Sequence, residues 1–282
     1  MENLTSEKIE KLKIIANNIR ISIVEMLYEA QSGHTAGALG MTDIFTLLYF
    51  HALKNKPEDP EWKDRDRLVL SNGHICPVLY ATMAHAGYFP KEELKTLRKF
   101  GTRLQGHPHR EFLPFVETSS GPLGEGLSQA VGMAIAGRID EKDILGNKIY
   151  CIVGDGELDE GQNWEAIMLG AKEKLSNLIV IVDRNNIQID GNTEKVMPLF
   201  DLKNKFKSFN WFVEEVDGHN FEEINNAIIK AKNNKEFPSV IIAKTIAGKG
   251  VKEWEGDYKW HGKAPSEREM RKALDELNNK KI

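Results

Sequence analysis

Ile149-Tyr150-Cys151-Ile152-Val153-Gly154-Asp155-Gly156 decides the fold: five apolar residues without alternation, ending in two glycines that flank an aspartate. A strand with no polar face is buried on both faces, as in a parallel sheet covered by helices. Downstream, Glu160 to Leu175 reads as a helix and Leu178-Ile179-Val180-Ile181-Val182 as a second continuous strand. A short helix near Leu202 to Phe209 follows, then a strand at Trp211-Phe212-Val213. A helix from Phe221 to Asn233 and the strand Ser239-Val240-Ile241-Ile242-Ala243 complete the alternation. The predicted fold class is α/β, an open, mostly parallel sheet with helices on both faces, with residues 1–282 forming a single domain.

Upstream of this unit, Ile9, Leu12, Ile15, Ile19, Ile23 and Met26 recur at helical spacing behind Thr5 or Ser6 as N-cap. The pattern stops in the small-residue run Ser32-Gly33-His34-Thr35-Ala36-Gly37, and a second apolar helix is expected over Met41 to His51. Pro57 to Asp66 is turn-rich, and Arg67-Leu68-Val69-Leu70-Ser71 is a short strand ending at Asn72-Gly73-His74. Thr102 to Gly126 lacks periodicity, and so long a loop inside a compact domain is usually functional or disordered. It runs into a small-residue helix over Leu127 to Arg138, and the tail Glu276 to Ile282 reads as a solvated helix end.

Composition excludes several classes. A net charge of -4 gives no whole-chain attraction to nucleic acid or anionic membranes. Cys76 and Cys151 lie in apolar contexts without metal-ligand spacing, as buried thiols of a reducing compartment do. No apolar run approaches the roughly 20 residues a membrane span needs, and the N-terminus lacks a signal-peptide pattern. The expectation is a soluble cytoplasmic protein.

In open α/β sheets, ligands bind beyond the carboxyl ends of the strands. Asn72-Gly73-His74, Gly154-Asp155-Gly156, Asp183 to Asn186, Asp217-Gly218-His219 and the loop after Thr245 all fall there. Around Asp155 the glycines allow a sharp turn and close approach of N–H groups to an anion, while the carboxylate suits a hard cation. Asn185, one helix and one strand later, adds an amide oxygen, and the following loop a backbone carbonyl. With two diphosphate oxygens and a water, this set completes a shell for Mg²⁺, or a looser one for Ca²⁺ or Mn²⁺. The chain has no Walker Gly-Lys-Ser/Thr and no Gly-x-Gly-x-x-Gly opening a helix, so the common nucleotide fingerprints are absent. His34, His74, His107 and His261 each adjoin a glycine in a loop, where an imidazole reaches a ligand and transfers protons near neutral pH. His51, His85, His109 and His219 lack that combination or lie in a turn.

Gly154-Asp155-Gly156 through Asn185-Asn186 resembles the signature of thiamine diphosphate enzymes, and the surrounding segments resemble transketolase. They are Ser32-Gly33-His34, Leu70-Ser71-Asn72-Gly73-His74, Gln105-Gly106-His107-Pro108, Ser120-Gly121-Pro122-Leu123-Gly124-Glu125-Gly126, Ile187-Gln188-Ile189-Asp190-Gly191, Val216-Asp217-Gly218-His219 and Trp260-His261-Gly262. The resemblance implies that Asp155, Asn185 and the Ile187 carbonyl hold the metal. It puts Gly154, Gly156 and His74 at the diphosphate, Gly121 and Leu123 at the aminopyrimidine, and His34, His107 and His261 at the donor sugar. His261 counts as both catalytic and cofactor-facing, and Glu160 with Glu165 as the acidic pair linking active sites at the subunit interface. The implied reaction is reversible transfer of a two-carbon ketol unit from a ketose phosphate to an aldose phosphate, a step of the pentose phosphate pathway.

Two departures qualify the resemblance. Transketolases often carry proline and glycine after the first histidine, where this chain has Thr35-Ala36-Gly37. Transketolases commonly add a pyrimidine-binding domain, with the glutamate that activates the cofactor, and a third domain, whereas about twenty residues follow His261. The expectation is therefore an N-terminal subunit of a split transketolase. It would work with a C-terminal subunit carrying the pyrimidine domain and most of the phosphate-reading arginines, as α2β2. Two other thiamine diphosphate activities stay open. Ser120-Gly121-Pro122-Leu123-Gly124 disfavours deoxyxylulose-phosphate synthesis, and the four loop histidines disfavour a 2-oxoacid dehydrogenase. A non-catalytic cofactor-binding subunit is the reading from another class.

Overall fold

The computed structural model describes residues 2–140 and 146–280. Helix α1 (Ser6–Ala30) is capped by the Thr5 side chain, which accepts from Lys8 N, and ends where Gln31 turns left-handed at φ 48°. Helices α2 (Ala36–Gly40) and α3 (Thr42–Leu47) follow, the latter running into a wide π turn at Leu48–Ala52. Strand β1 (Arg67–Leu70), α4 (Cys76–Ala86) and α5 (Glu125–Ile139) lead to β2 (Ile149–Gly154). Helix α6 (Gly161–Lys172) returns the chain to β3 (Leu178–Arg184). A small hairpin of β4 (Ile187–Gln188) and β5 (Gly191–Asn192) then precedes α7 (Thr193–Val196) and α8 (Leu202–Ser208). Strand β6 (Phe212–Asp217), α9 (Phe221–Asn233), β7 (Ser239–Lys244) and α10 (Glu267–Asn278) finish it.

Five strands form one parallel sheet in the order β1-β2-β3-β7-β6. Successive residues of the continuous apolar strands serve two different cores. Tyr150, Ile152, Ile179, Ile181 and Ile241 pack with Leu12 and Ile19 of α1, Phe45 of α3, Val78 of α4 and Ile228 of α9. Cys151, Val153, Val180, Val182 and Ile242 pack on the other face with Leu127 and Val131 of α5, Ile167 of α6 and Phe206 of α8. Two-sided burial is why these strands show no polar alternation.

The observed boundaries depart from expectation in several places. Residues Ala36–Gly40, read as part of a patternless run, are helical, their small side chains buried against neighbouring elements. Helix α4 shows no period in sequence because it is buried almost all round, with no polar face to mark it; Pro77 opens it and Gly87, at φ 94°, ends it. Helix α6 is shorter than Glu160 to Leu175, starting at Gly161 after a 3-10 turn at Gly156–Asp159 and stopping at Lys172, just before Lys174 turns left-handed at φ 50°. The C-terminal helix starts well before Glu276, at a capping box of Ser266 and Glu269, and buries Ala273 and Leu277. Lys281 and Ile282 of the expected tail lie outside the described residues.

Candidate functional site

The carboxyl end of β2 is pinned beside that of β3, with Gly154 opposite Asp183 in register. Asp155 follows, 1% exposed, its N–H donating to the Asp183 carbonyl at 3.1 Å. Its Oδ1 accepts from Gly156 N at 2.8 Å, and its Oδ2 from Asn186 N at 2.6 Å and Arg184 Nη1 at 3.2 Å. Asp183, also 1% exposed, accepts from the Thr245 hydroxyl and from Asn185 Nδ2. Asn185 is held by a second bond, its Oδ1 accepting from Ile187 N at 2.8 Å, and Asn186 makes the turn at φ 60°. Burial pushes the Asp155 carboxyl up to about 6 and that of Asp183 up to about 7, against the pull of Arg184 on Asp155. Two carboxylates are thus held under one short loop with a single guanidinium beside them.

The four glycine-flanked histidines converge. The ring of His34 stands 4.9 Å from that of His74, 6.5 Å from His107 and 5.5 Å from His261, and His74 and His261 are 5.0 Å apart. Each is placed by a different element. His34 sits after the left-handed end of α1, with Gly33 at φ 133° and Thr35 Oγ1 donating to the Lys263 carbonyl. His74 lies in the turn after β1. A Cβ on Gly73 would overlap Ser120 Oγ, so only glycine lets the 102–124 loop press onto this turn. That loop carries His107, and α4 holds it through Tyr80 Oη and Cys76 Sγ, which donate to the carbonyls of Gln105 and Gly106. His261 follows Trp260, which stacks on Trp254 at 4.1 Å.

Burial lowers the pKa of all four imidazoles, and mutual repulsion adds to it for His34 and His74. His34 is lowered to about 4, and the cluster is neutral at pH 7. Three buried polar atoms of this cleft, His34 Nδ1, Asn72 Oδ1 and Ser120 Oγ, have no hydrogen-bond partner. Leaving such groups unpaired costs about 1–3 kcal/mol each, a penalty that ligand contacts remove.

Glu157, which the sequence reading missed, joins the two clusters. It is 3% exposed and accepts from Ser71 Oγ at the end of β1, Gly124 N before α5 and Gly154 N at the end of β2. Its position next to Gly156 was the available signal, but its partners lie 86, 33 and 3 residues away and no local spacing reveals them. Arg98 was also missed. At φ 59°, it reaches Ser32 Oγ and the Gly106 carbonyl and brings positive charge beside His34 and His107.

Gly121 faces open space, and the Leu123 carbonyl accepts from Gln162 Nε2 at 3.1 Å. Glu160 lies beside Gly124 at the start of α6, and both it and Glu165 are exposed, outside the histidine cleft. His219 does not join the cleft. It bonds Asp43 through Nδ1 at 2.7 Å and accepts from Ile246 N through Nε2, a satisfied structural histidine. Both cysteines are free and buried. No helix among the described residues is long and apolar enough to cross a membrane.

Comparison with known proteins identifies the family. The thiamine diphosphate-binding domain of transketolase matches residues 11–280. The chain is 42% identical to the 6-deoxy-6-sulfo-D-fructose transketolase subunit SqwG of Clostridium sp. (strain MSTE9), covering 96% of this chain and 98% of that one. It is 38% identical to an apulose-4-phosphate transketolase subunit of Phocaeicola vulgatus, covering 97% and 96%. The crystal structure of Campylobacter jejuni transketolase superposes with a TM-score of 0.90 at 39% identity, covering 95% of this chain and 43% of that one. The chain belongs to the transketolase family, as its thiamine diphosphate-binding domain.

Proposed function

We propose that this chain is the diphosphate-binding, N-terminal subunit of a split transketolase, using thiamine diphosphate and Mg²⁺ to move a two-carbon ketol unit between sugar phosphates. The observation that carries the reading is four neutral histidines converging beside the buried Asp155–Asn185 loop. Asp155, the Asn185 amide oxygen and the Ile187 carbonyl would hold the metal. The donor set fits, because Asp155 Oδ1 accepts one hydrogen bond and keeps lone pairs for a cation. A divalent ion there also offsets the penalty on two buried carboxylates.

Gly154, Gly156 and His74 would border the diphosphate, with Gly121 and the Leu123 N–H meeting the aminopyrimidine. When bound, thiamine diphosphate supplies the electron sink for cleaving and forming the carbon–carbon bond next to a carbonyl. His34, His107 and His261 act on the sugar. Unprotonated at neutral pH, each imidazole accepts a proton from a hydroxyl and returns it, and their spacing fixes the donor's orientation. Arg98, at their edge, offers charge to an anionic substrate.

The partner in this reading is a separate C-terminal subunit with the pyrimidine domain, in an α2β2 assembly and in the cytoplasm. Apolar side chains next to the metal loop stand exposed, Ile189 at 65%, Met197 at 58% and Phe200 at 73%, with Met168 of α6 at 56%. Such patches suit burial by another chain. A subunit contact over α6 would also cover Glu160 and Glu165, the expected acidic pair between active sites. The donor is a ketose with an anionic end; the names of two relatives specify a sulfonated sugar and apulose 4-phosphate, whereas xylulose 5-phosphate would place the reaction in the pentose phosphate pathway. The test is two-carbon transfer by the reconstituted pair, with each of these three donors and ribose 5-phosphate as acceptor. Metal-dependent transfer from at least one supports the proposal; cofactor binding without transfer from any of them refutes it.

A further inference from the structure

We propose a second anion site on this chain, outside the histidine cleft, that takes a small phosphate- or carboxylate-bearing ligand between α1, α3 and the loop after β7. A cavity of roughly 270 Å³ opens there, lined by Asn17 and Arg20 of α1, Asp43 of α3, His219, Lys249 and Lys280. That volume is just below the range of drug-sized ligand pockets, and so suits a compact anion.

Two lining groups are unpartnered although almost wholly buried. Arg20 is 4% exposed and its Nε has no acceptor, the group that calls for an anion; Asn17 is 7% exposed and its Oδ1 has no donor, a need that only a ligand hydroxyl such as the P–OH of a protonated phosphate meets. Arg20 Nη2 is already on Asp43 at 2.6 Å, while its Nε is a buried donor without a partner. Asp43 is neutralised by Arg20 and accepts a further hydrogen bond from His219 Nδ1. Because His219 Nε2 accepts from Ile246 N, its proton sits on Nδ1 and the ring is the neutral tautomer. The remaining charge is positive. Lys249 is only loosely paired, 3.7 Å from Glu255, and Lys280 has no carboxylate within ion-pair distance among the described residues. Burial and the nearby Arg20 and Lys249 lower the Lys280 pKa, against the opposing pull of Asp43 and Glu255. A guanidinium edge with two ammonium groups is the chemistry that recognises phosphate or carboxylate oxygens.

The experiment is a calorimetric titration of the full chain with inorganic phosphate. The expected result is saturable binding with Kd on the order of 1 mM. Lys249→Met combined with Lys280→Met should weaken it about tenfold or more, since two cations are lost. These two side chains are used because Arg20→Met would leave Asp43 buried and risk the fold. His34→Ala with His107→Ala serves as the control and should leave the affinity unchanged. Absence of saturable binding, binding indifferent to the lysine substitutions, or binding abolished by the histidine substitutions would each overturn the proposal.

Discussion

Asp155 carries the metal proposal, and its surroundings make the test clean. Asp155→Asn keeps the volume and the acceptor toward Gly156 while removing the charge. Loss of an outer partner costs up to roughly 100-fold in metal affinity, so loss of this carboxylate should weaken Mg²⁺-dependent thiamine diphosphate binding further, measured by calorimetry on the reconstituted complex. Unchanged affinity would remove Asp155 from the site. The histidines make a prediction about pH. A folded-state pKa near 4 for His34, against 6.5 for the free group, means the unfolded chain binds the proton first. The stability is present in full above about pH 6.5 and is lost as pH falls toward 4, and the other three lowered imidazoles act in the same sense. Melting temperatures from pH 8 to pH 5 should fall more steeply for the native chain than for His34→Asn with His107→Asn. Equal slopes would show that the cluster is not desolvated.

At the scale of elements, helix α5 contains a paired test of how closely the site is packed. A Cβ on Gly126 would lie 2.6 Å from the Cα of Ser71 and 2.5 Å from its Cβ, so the backbone itself would have to move. Gly126→Ala should cost about 1–3 kcal/mol in urea unfolding and weaken cofactor binding, because it pulls Gly126 N off Ser71 Oγ and shifts the Gly124 bond to Glu157. Gly132, further along the helix, has nothing within 4 Å of its would-be Cβ. Gly132→Ala should stabilise the isolated chain by roughly 0.5–1 kcal/mol through helix propensity. If both changes cost alike, the packing of α5 on β1 has been misread. The same elements show what was legible in advance. Strands β2, β3 and β7 could be read because burial on two faces leaves continuous apolar runs, and the glycine-flanked histidines could be read because glycine marks close approach. Helix α4, apolar all round, left no period. Glu157 and Arg98 gain their meaning from partners brought together by the sheet, which no local pattern encodes.

At the scale of the whole molecule, this chain is proposed to supply one edge of a shared site. Its β-strand ends bring together the Asp155–Asn185 loop, a histidine cluster and the buried Glu157, with exposed apolar side chains at Ile189, Met197 and Phe200. Its length matches the two subunit relatives almost entirely but spans less than half of the full-length transketolase it superposes on. The central claim is that this chain grips the diphosphate end of the cofactor while a second chain completes the reactive end. The most direct measurement is steady-state two-carbon transfer with Mg²⁺ and thiamine diphosphate, by the purified chain alone and after adding the chain that carries the pyrimidine domain. The account predicts no turnover from this chain alone and turnover on addition of the partner; full turnover by the isolated chain would contradict it.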